Sequence, residues 1–218
     1  MFYNKAINRS AKSISKCLLL AAFALSCITA SADTVVFNNG GPNQLGGNEM
    51  GSYVQGESFT LGTAATLSGV NFWDLELTGA YAGSINWYIL DDCGGPCNFL
   101  AQGSAVGSHT ATGQNAFGYD EYYNSFSILA TLSAGNYWLF LHNGPIGAGD
   151  YTDFYWEWTS GGSGPSGQEY DLIAQQGFDG NGQEHAYNMT QTPEPASLAL
   201  LGSGLIGIAG AARRRFLN

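Results

Sequence analysis

Ile85-Asn86-Trp87-Tyr88-Ile89-Leu90-Asp91-Asp92 places Ile85, Trp87 and Ile89 on one side of an extended chain and Asn86 and Tyr88 on the other. A period of two is the mark of a half-buried strand. The pattern recurs on either side. Phe126, Ile128 and Ala130 alternate with Ser127; Tyr137, Leu139 and Leu141 alternate with Trp138 and Phe140; Phe154, Trp156 and Trp158 alternate with Tyr155 and Glu157. Further strands are expected over 34–38, 57–61, 66–77, 99–106, 169–174 and 184–190, with Gly, Asn, Ser and Asp between them. No stretch of the middle sustains a 3.6-residue apolar period. The expected fold is therefore all-β: a single β-sandwich of jelly-roll type with about ten strands, spanning residues 33–190.

Charge is distributed unevenly. The seven basic residues are Lys5, Arg9, Lys12 and Lys16 in front and Arg213, Arg214 and Arg215 behind, while all 17 Asp and Glu lie in 33–195. That segment is −17 with His neutral, against −10 for the whole chain. Nothing in it can neutralise phosphates, so nucleic acid is excluded as a partner. Buried carboxylates there have no Lys or Arg to pair with and must be solvated, hydrogen-bonded or metal-bound.

The two ends read as processing signals. Residues 1–16 carry four positive charges and no acid, an apolar run follows, and Ala30-Ser31-Ala32 puts small residues before Asp33. This is the pattern of a secretory signal peptide, 1–32, cut after Ala32 with Ala30 at the −3 position. A rival reading takes Ala24-Leu25-Ser26-Cys27 as a lipoprotein box, which Leu25 fits poorly. At the other end, Pro193-Glu194-Pro195 is followed by an uncharged, apolar stretch, 196–212, and then by Arg213, Arg214 and Arg215. As a helix that stretch spans about 26 Å, just short of a hydrocarbon core of about 30 Å, with the arginines held on the cytoplasmic side.

This order closely resembles the PEP-CTERM sorting tail: Pro193, Glu194 and Pro195 match its motif, 196–212 its transmembrane helix and the three arginines its basic stop. The resemblance covers residues 191–218 and implies an exosortase as partner. It also implies transient inner-membrane insertion of a precursor, and delivery to the cell surface or extracellular matrix once the tail is cut. The alternative is a plain anchor that is never cut. Within the tail, Gly202-Ser203-Gly204-Leu205-Ile206-Gly207 fits G-x-G-x-x-G but lacks the βαβ setting a dinucleotide site needs.

The middle more loosely resembles the choice-of-anchor-like β-sandwich domains that often precede such tails. The matching stretches are Glu57-Ser58-Phe59-Thr60-Leu61, Ala65-Thr66-Leu67-Ser68-Gly69-Val70-Asn71-Phe72-Trp73, the 85–92 stretch above, Leu132-Ser133-Ala134-Gly135-Asn136-Tyr137-Trp138-Leu139 and Asp171-Leu172-Ile173-Ala174. That group brings no agreed activity. This chain departs from it in a Cys pair after Asp92 and in a long Gly-rich stretch at 39–51.

Candidate chemistry is sparse. Cys93-Gly94-Gly95-Pro96-Cys97 holds the two cysteines left after signal removal. An oxidising destination favours a disulfide that pins a turn; redox catalysis would want C-x-x-C, and zinc two more ligands. His109, His142 and His185 accompany no G-x-S-x-G elbow. Asp179-Gly180-Asn181-Gly182-Gln183-Glu184 fails as an EF-hand, because Glu184 stands where Gly is required. Asp179, Asn181 and Glu184 remain weak oxygen ligands for calcium, and no metal is assigned. Trp73, Trp87, Trp138, Trp156 and Trp158 serve a core or a sugar-stacking surface, with Tyr155 and Glu157 expected to be exposed as a candidate ligand-binding pair. The sequence thus points to a non-enzymatic surface or matrix protein acting by adhesion or exopolysaccharide association. The alternatives are a dedicated carbohydrate-binding module, calcium-assisted or not, and a secreted glycan-active enzyme.

Overall fold

The computed structural model describes residues 33–146, 152–162, 167–171 and 176–192, together with Gly202, Gly204, Leu205, Gly207 and Ile208. Asp33–Thr192 forms one compact unit. Its strands are β1 (Thr34–Gly40), β2 (Pro42–Glu49), β3 (Tyr53–Leu61), β4 (Ala65–Glu76), β5 (Ile85–Asp92), β6 (Pro96–Ala105) and β7 (Ser108–Ala116). They continue as β8 (Tyr119–Leu132), β9 (Gly135–Asn143), β10 (Phe154–Thr159), β11 (Gln168–Asp171), β12 (Gln176–Gly180) and β13 (Tyr187–Gln191). The all-β expectation holds, with thirteen strands among the described residues rather than about ten.

Two antiparallel sheets result. In the first, β4 is the longest-shared strand: β8 runs along one edge, with β7 beyond it, while β13 and then β10 share the other edge, flanked by β1 and β2. The second has the order β12-β11-β3-β9-β5-β6. Alternation decides what faces inward. Val70 and Phe72 of β4, Phe126 and Ile128 of β8, and Phe154 and Trp156 of β10 meet Phe59, Ile85, Ile89, Leu139 and Leu141 of the second sheet in a single core cluster. Phe72 is fully buried, edge-on to Phe126, Phe154 and Trp156 at 6.0–6.5 Å between ring centres. Such aromatic pairs add to the area buried.

Trp138 and Phe140 are buried too, although they occupy the alternate positions of β9. They form a second small cluster with Val54 and Leu90 on the far side of the second sheet, packed against Tyr88 and Tyr170. β2 was not expected from so Gly-rich a stretch. It forms because small residues are needed there: a Cβ at Gly46 would lie 2.7 Å from the Trp158 ring, and one at Gly47 would lie 2.7 Å from the Trp156 carbonyl.

Of the helix expected over 196–212, five residues are described as helical and the rest lie outside the described residues. Among the described residues, no helix is long and apolar enough to cross a membrane. The signal-cleavage residues Ala30 and Ala32, the Pro193-Glu194-Pro195 motif and Arg213, Arg214 and Arg215 also fall outside them.

Candidate functional site

The outer face of the first sheet carries the half-exposed aromatics. Trp73 of β4 is paired with Tyr123 of β8, so both project from the same side, with ring centres 5.0 Å apart and planes tilted by 57°. Two positions along β4, Tyr155 of β10 stands opposite Leu75 and meets Tyr119 edge-on at 5.1 Å. Beyond Trp73 in the other direction the face turns polar. Asn71 donates from Nδ2 to Asn188 Oδ1 at 2.8 Å, and Ser68 Oγ lies 3.2 Å from Thr190 Oγ1. Here a groove of about 550 Å³ opens, lined by Asp33, Ser68, Asn71, Ser108, Ser125, Ser127 and Thr190 together with Val106 and Phe126. That volume is in the range of small-ligand sites.

Between the two aromatic pairs lie two carboxyl groups under a roof. Glu157 of β10 is fully buried and Glu121 of β8 nearly so. Gln44 of β2 covers them: its backbone N–H donates to Glu157 Oε1 at 2.7 Å and its Nε2 to Glu121 Oε2 at 3.4 Å, while Thr112 Oγ1 donates to Glu121 Oε1 at 2.6 Å. Gln44 holds φ 58 to do so, a conformation costly for any residue but Gly. Burial above all, with the charge of Glu121 behind it, pushes the Glu157 carboxyl up to about 8. The expectation that Tyr155 and Glu157 form an exposed pair is therefore corrected. Tyr155 is half-buried, and Glu157 is sealed beneath Gln44, because the Gly-rich stretch folds over it as an edge strand.

Two further acid clusters face inward. On β4, Asp74 and Glu76 continue the inward row of Val70 and Phe72. Asn124 Nδ2 donates to Asp74 Oδ1, and its Oδ1 faces His109 Nδ1 at 2.8 Å; His109 Nε2 lies 3.3 Å from Glu76 Oε1. Tyr81 and Tyr122 sandwich that imidazole at 4.3 and 4.2 Å. Burial draws the His109 pKa down, but the hydrogen bonds to Glu76 and Asn124 outweigh it and leave it raised. Burial drives Asp74 well above the carboxylate range.

The other cluster joins Glu57 of β3 to His185, just before β13. His185 donates its backbone N–H to Glu57 Oε1 at 2.8 Å, and its Nδ1 lies 2.5 Å from the same oxygen. Trp158 Nε1 can only donate, so the Asn48 atom it meets at 2.5 Å is the oxygen; His185 Nε2, 3.0 Å from that oxygen, must then carry a hydrogen. One proton is left between Nδ1 and Oε1. Burial without a cation keeps the pair neutral, with Glu57 raised and His185 depressed to about 3. Burial also lifts Glu184, beside Glu57, to about 7. Oε2 of Glu57, Glu76 and Glu157 and Oδ2 of Asp74 meet no donor among the described residues.

The calcium candidates do not converge. Asp179 is exposed on β12, Asn181 donates to Gln55 Oε1 at 3.0 Å, and Glu184 accepts from Asn39 at 3.0 Å. Among the described residues, no three His, Cys, Asp or Glu side chains are placed to hold a metal. His142 ties two turns together, its ring nitrogens 2.7 Å from the Gly144 carbonyl and 3.0 Å from that of Gly51. Cys93 and Cys97 are joined across the β5–β6 turn, with Cα atoms 6.2 Å apart. Asp92 Oδ1 accepts the N–H groups of Gly94 and Gly95 in the same turn.

The class so defined is an all-β domain of two antiparallel sheets followed by a short C-terminal tail. Residues 191–215 match the family model of the PEP-CTERM protein-sorting motif. The chain therefore carries the tail that marks an exported, cell-surface-directed protein processed by an exosortase. No curated protein matches the chain. A CocE/NonD family hydrolase from Staphylococcus aureus superposes with a TM-score of 0.32 at 9% identity, over 74% of this chain and 36% of that one, a likeness too slight to bear on function.

Proposed function

We propose that this is a non-enzymatic surface or matrix protein that associates with extracellular polysaccharide through the outer face of its first sheet. Its precursor is held in the inner membrane by the tail until an exosortase releases it. The observation that carries the reading is the half-exposed Trp73–Tyr123 pair beside a groove lined with hydroxyls and the Asn71 amide. Aromatic faces stack on sugar rings, and the groove side chains supply donors and acceptors for sugar hydroxyls.

Glu121 and Glu157, beside the aromatic face, lack the arrangement that glycan hydrolysis uses. A glycosidase holds its two carboxyls about 5–9.5 Å apart with the sugar between them. Here Glu121 and Glu157 are within hydrogen-bonding contact of each other and are closed off by Gln44. Retention in the matrix tests the proposal. Trp73→Ala, exported and tail-processed normally, is expected to shift from the matrix to the medium. Equal retention of variant and wild type would overturn it.

A further inference from the structure

We infer that the groove on the outer face of the first sheet takes an uncharged polysaccharide and rejects polyanionic ones. This rests on the glycan-binding reading above and narrows it. The floor is built by register. Gly69 and Asn71 of β4 pair with Thr190 and Asn188 of β13 on one side and with Ser127 and Ser125 of β8 on the other, so all project from the same face. Gly69 keeps the floor low, since a Cβ there would lie 2.8 Å from Thr190 Oγ1. Ser108, at the start of β7, lines one side, and Trp73 follows two residues beyond Asn71 on the same face of β4, next to the groove and with Tyr123 tilted against it. From Gly69 to Trp73 the strand rises about 13 Å, room for more than one sugar unit with one ring stacked on Trp73.

The lining fixes the charge of the occupant. Its polar side chains are hydroxyls and the Asn71 amide, and the one ionisable side chain at the groove is Asp33, whose Oδ2 accepts from Ser68 Oγ at 2.5 Å and whose carboxylate offsets the α-amino group that cleavage after Ala32 would leave on the same residue. A uronate, sulfate or pyruvylated sugar would bring its anion toward that carboxylate. It would also enter the field of an acidic segment with no Lys or Arg to answer it. Hydroxyls of a neutral chain meet matched donors and acceptors at no such cost.

The test is a glycan array carrying neutral, uronate-bearing and sulfated oligosaccharides, probed with the exported protein at low and at physiological salt. The expected hits are neutral glycans, bound equally at both salt levels. Gly69→Val, which fills the floor, and Trp73→Ala, which removes the stacking face, should each weaken them by about tenfold or more, the loss of one well-placed contact. Phe99→Ala, on the second sheet, should leave them unchanged, and unchanged thermal unfolding should certify each fold. Hits confined to uronate-bearing or sulfated glycans would overturn the charge assignment while keeping the glycan reading. Neutral hits untouched by Gly69→Val and Trp73→Ala would overturn the groove. No hit in any class would remove the glycan reading and this inference with it.

Discussion

Glu157 is a fully buried carboxyl with another acid for a neighbour, in a domain without Lys or Arg. Its response to pH can be worked out. Its folded pKa of about 8 exceeds the ordinary value of 4.5. Between the two, the fold keeps a proton that the unfolded chain has released. The stability this confers is complete below 4.5 and is lost as pH rises through 8, at about 1.4 kcal/mol per pH unit. Glu184, raised to about 7, has the same sign, as do Glu57 and Asp74, which burial also raises. His109, raised, also loses its contribution as pH climbs. His185, depressed to about 3, has the opposite sign: its contribution is present above 6.5 and is lost as pH falls toward 3. From about pH 6.5 to 7.5, where His185 adds little, wild-type unfolding free energy should fall by at least about 1.4 kcal/mol. Urea unfolding at the two pH values measures this. Glu157→Gln should reduce the slope by about the same amount and overtake the wild type at the alkaline end. Equal slopes in the two proteins, or a wild type indifferent to pH, would refute the protonated-carboxyl account.

Three other outcomes follow from particular contacts. Phe72→Ala, which opens a cavity among Phe126, Phe154 and Trp156, should cost about 3–5 kcal/mol in urea unfolding. Cys93 and Cys97 should resist alkylation without reduction, and Cys93→Ser should lower stability only slightly because the closed loop is short, as a thermal melt would show. Calcium should raise the melting temperature no more than magnesium at equal ionic strength, since Asp179 and Glu184 point to different surroundings; a calcium-specific rise would require a ligand set other than the one described.

The alternation of Ile85, Trp87 and Ile89, and of Tyr137, Leu139 and Leu141, read correctly as the inward rows of β5 and β9, because apolar side chains at every second position leave one arrangement that buries them. β7 was illegible. Ser108–Ala116 carries almost no apolar side chain and exists as an exposed edge paired with β8. β2 was hidden by glycines whose role appears only once Trp156 and Trp158 lie against them. The acids misled in a different way. Asp74 and Glu76 occupy inward positions of β4, and Glu157 an outward one of β10, yet all are buried. The absence of Lys and Arg showed that any buried acid would lack an ionic partner; which acids were buried depended on Gln44, Asn124 and His185 arriving from distant parts of the chain. Trp73 stood out among the tryptophans only when its pairing with Tyr123 put both on an outer face.

A surface role requires that the domain reach the surface, and the tail is the segment that directs it there. Intact-mass measurement of the protein recovered from the cell surface and matrix addresses this directly. The expected species begins near Asp33 and ends near Pro193-Glu194-Pro195, without 196–212 and without Arg213, Arg214 and Arg215. A mature surface species that still carries the whole tail would contradict exosortase processing.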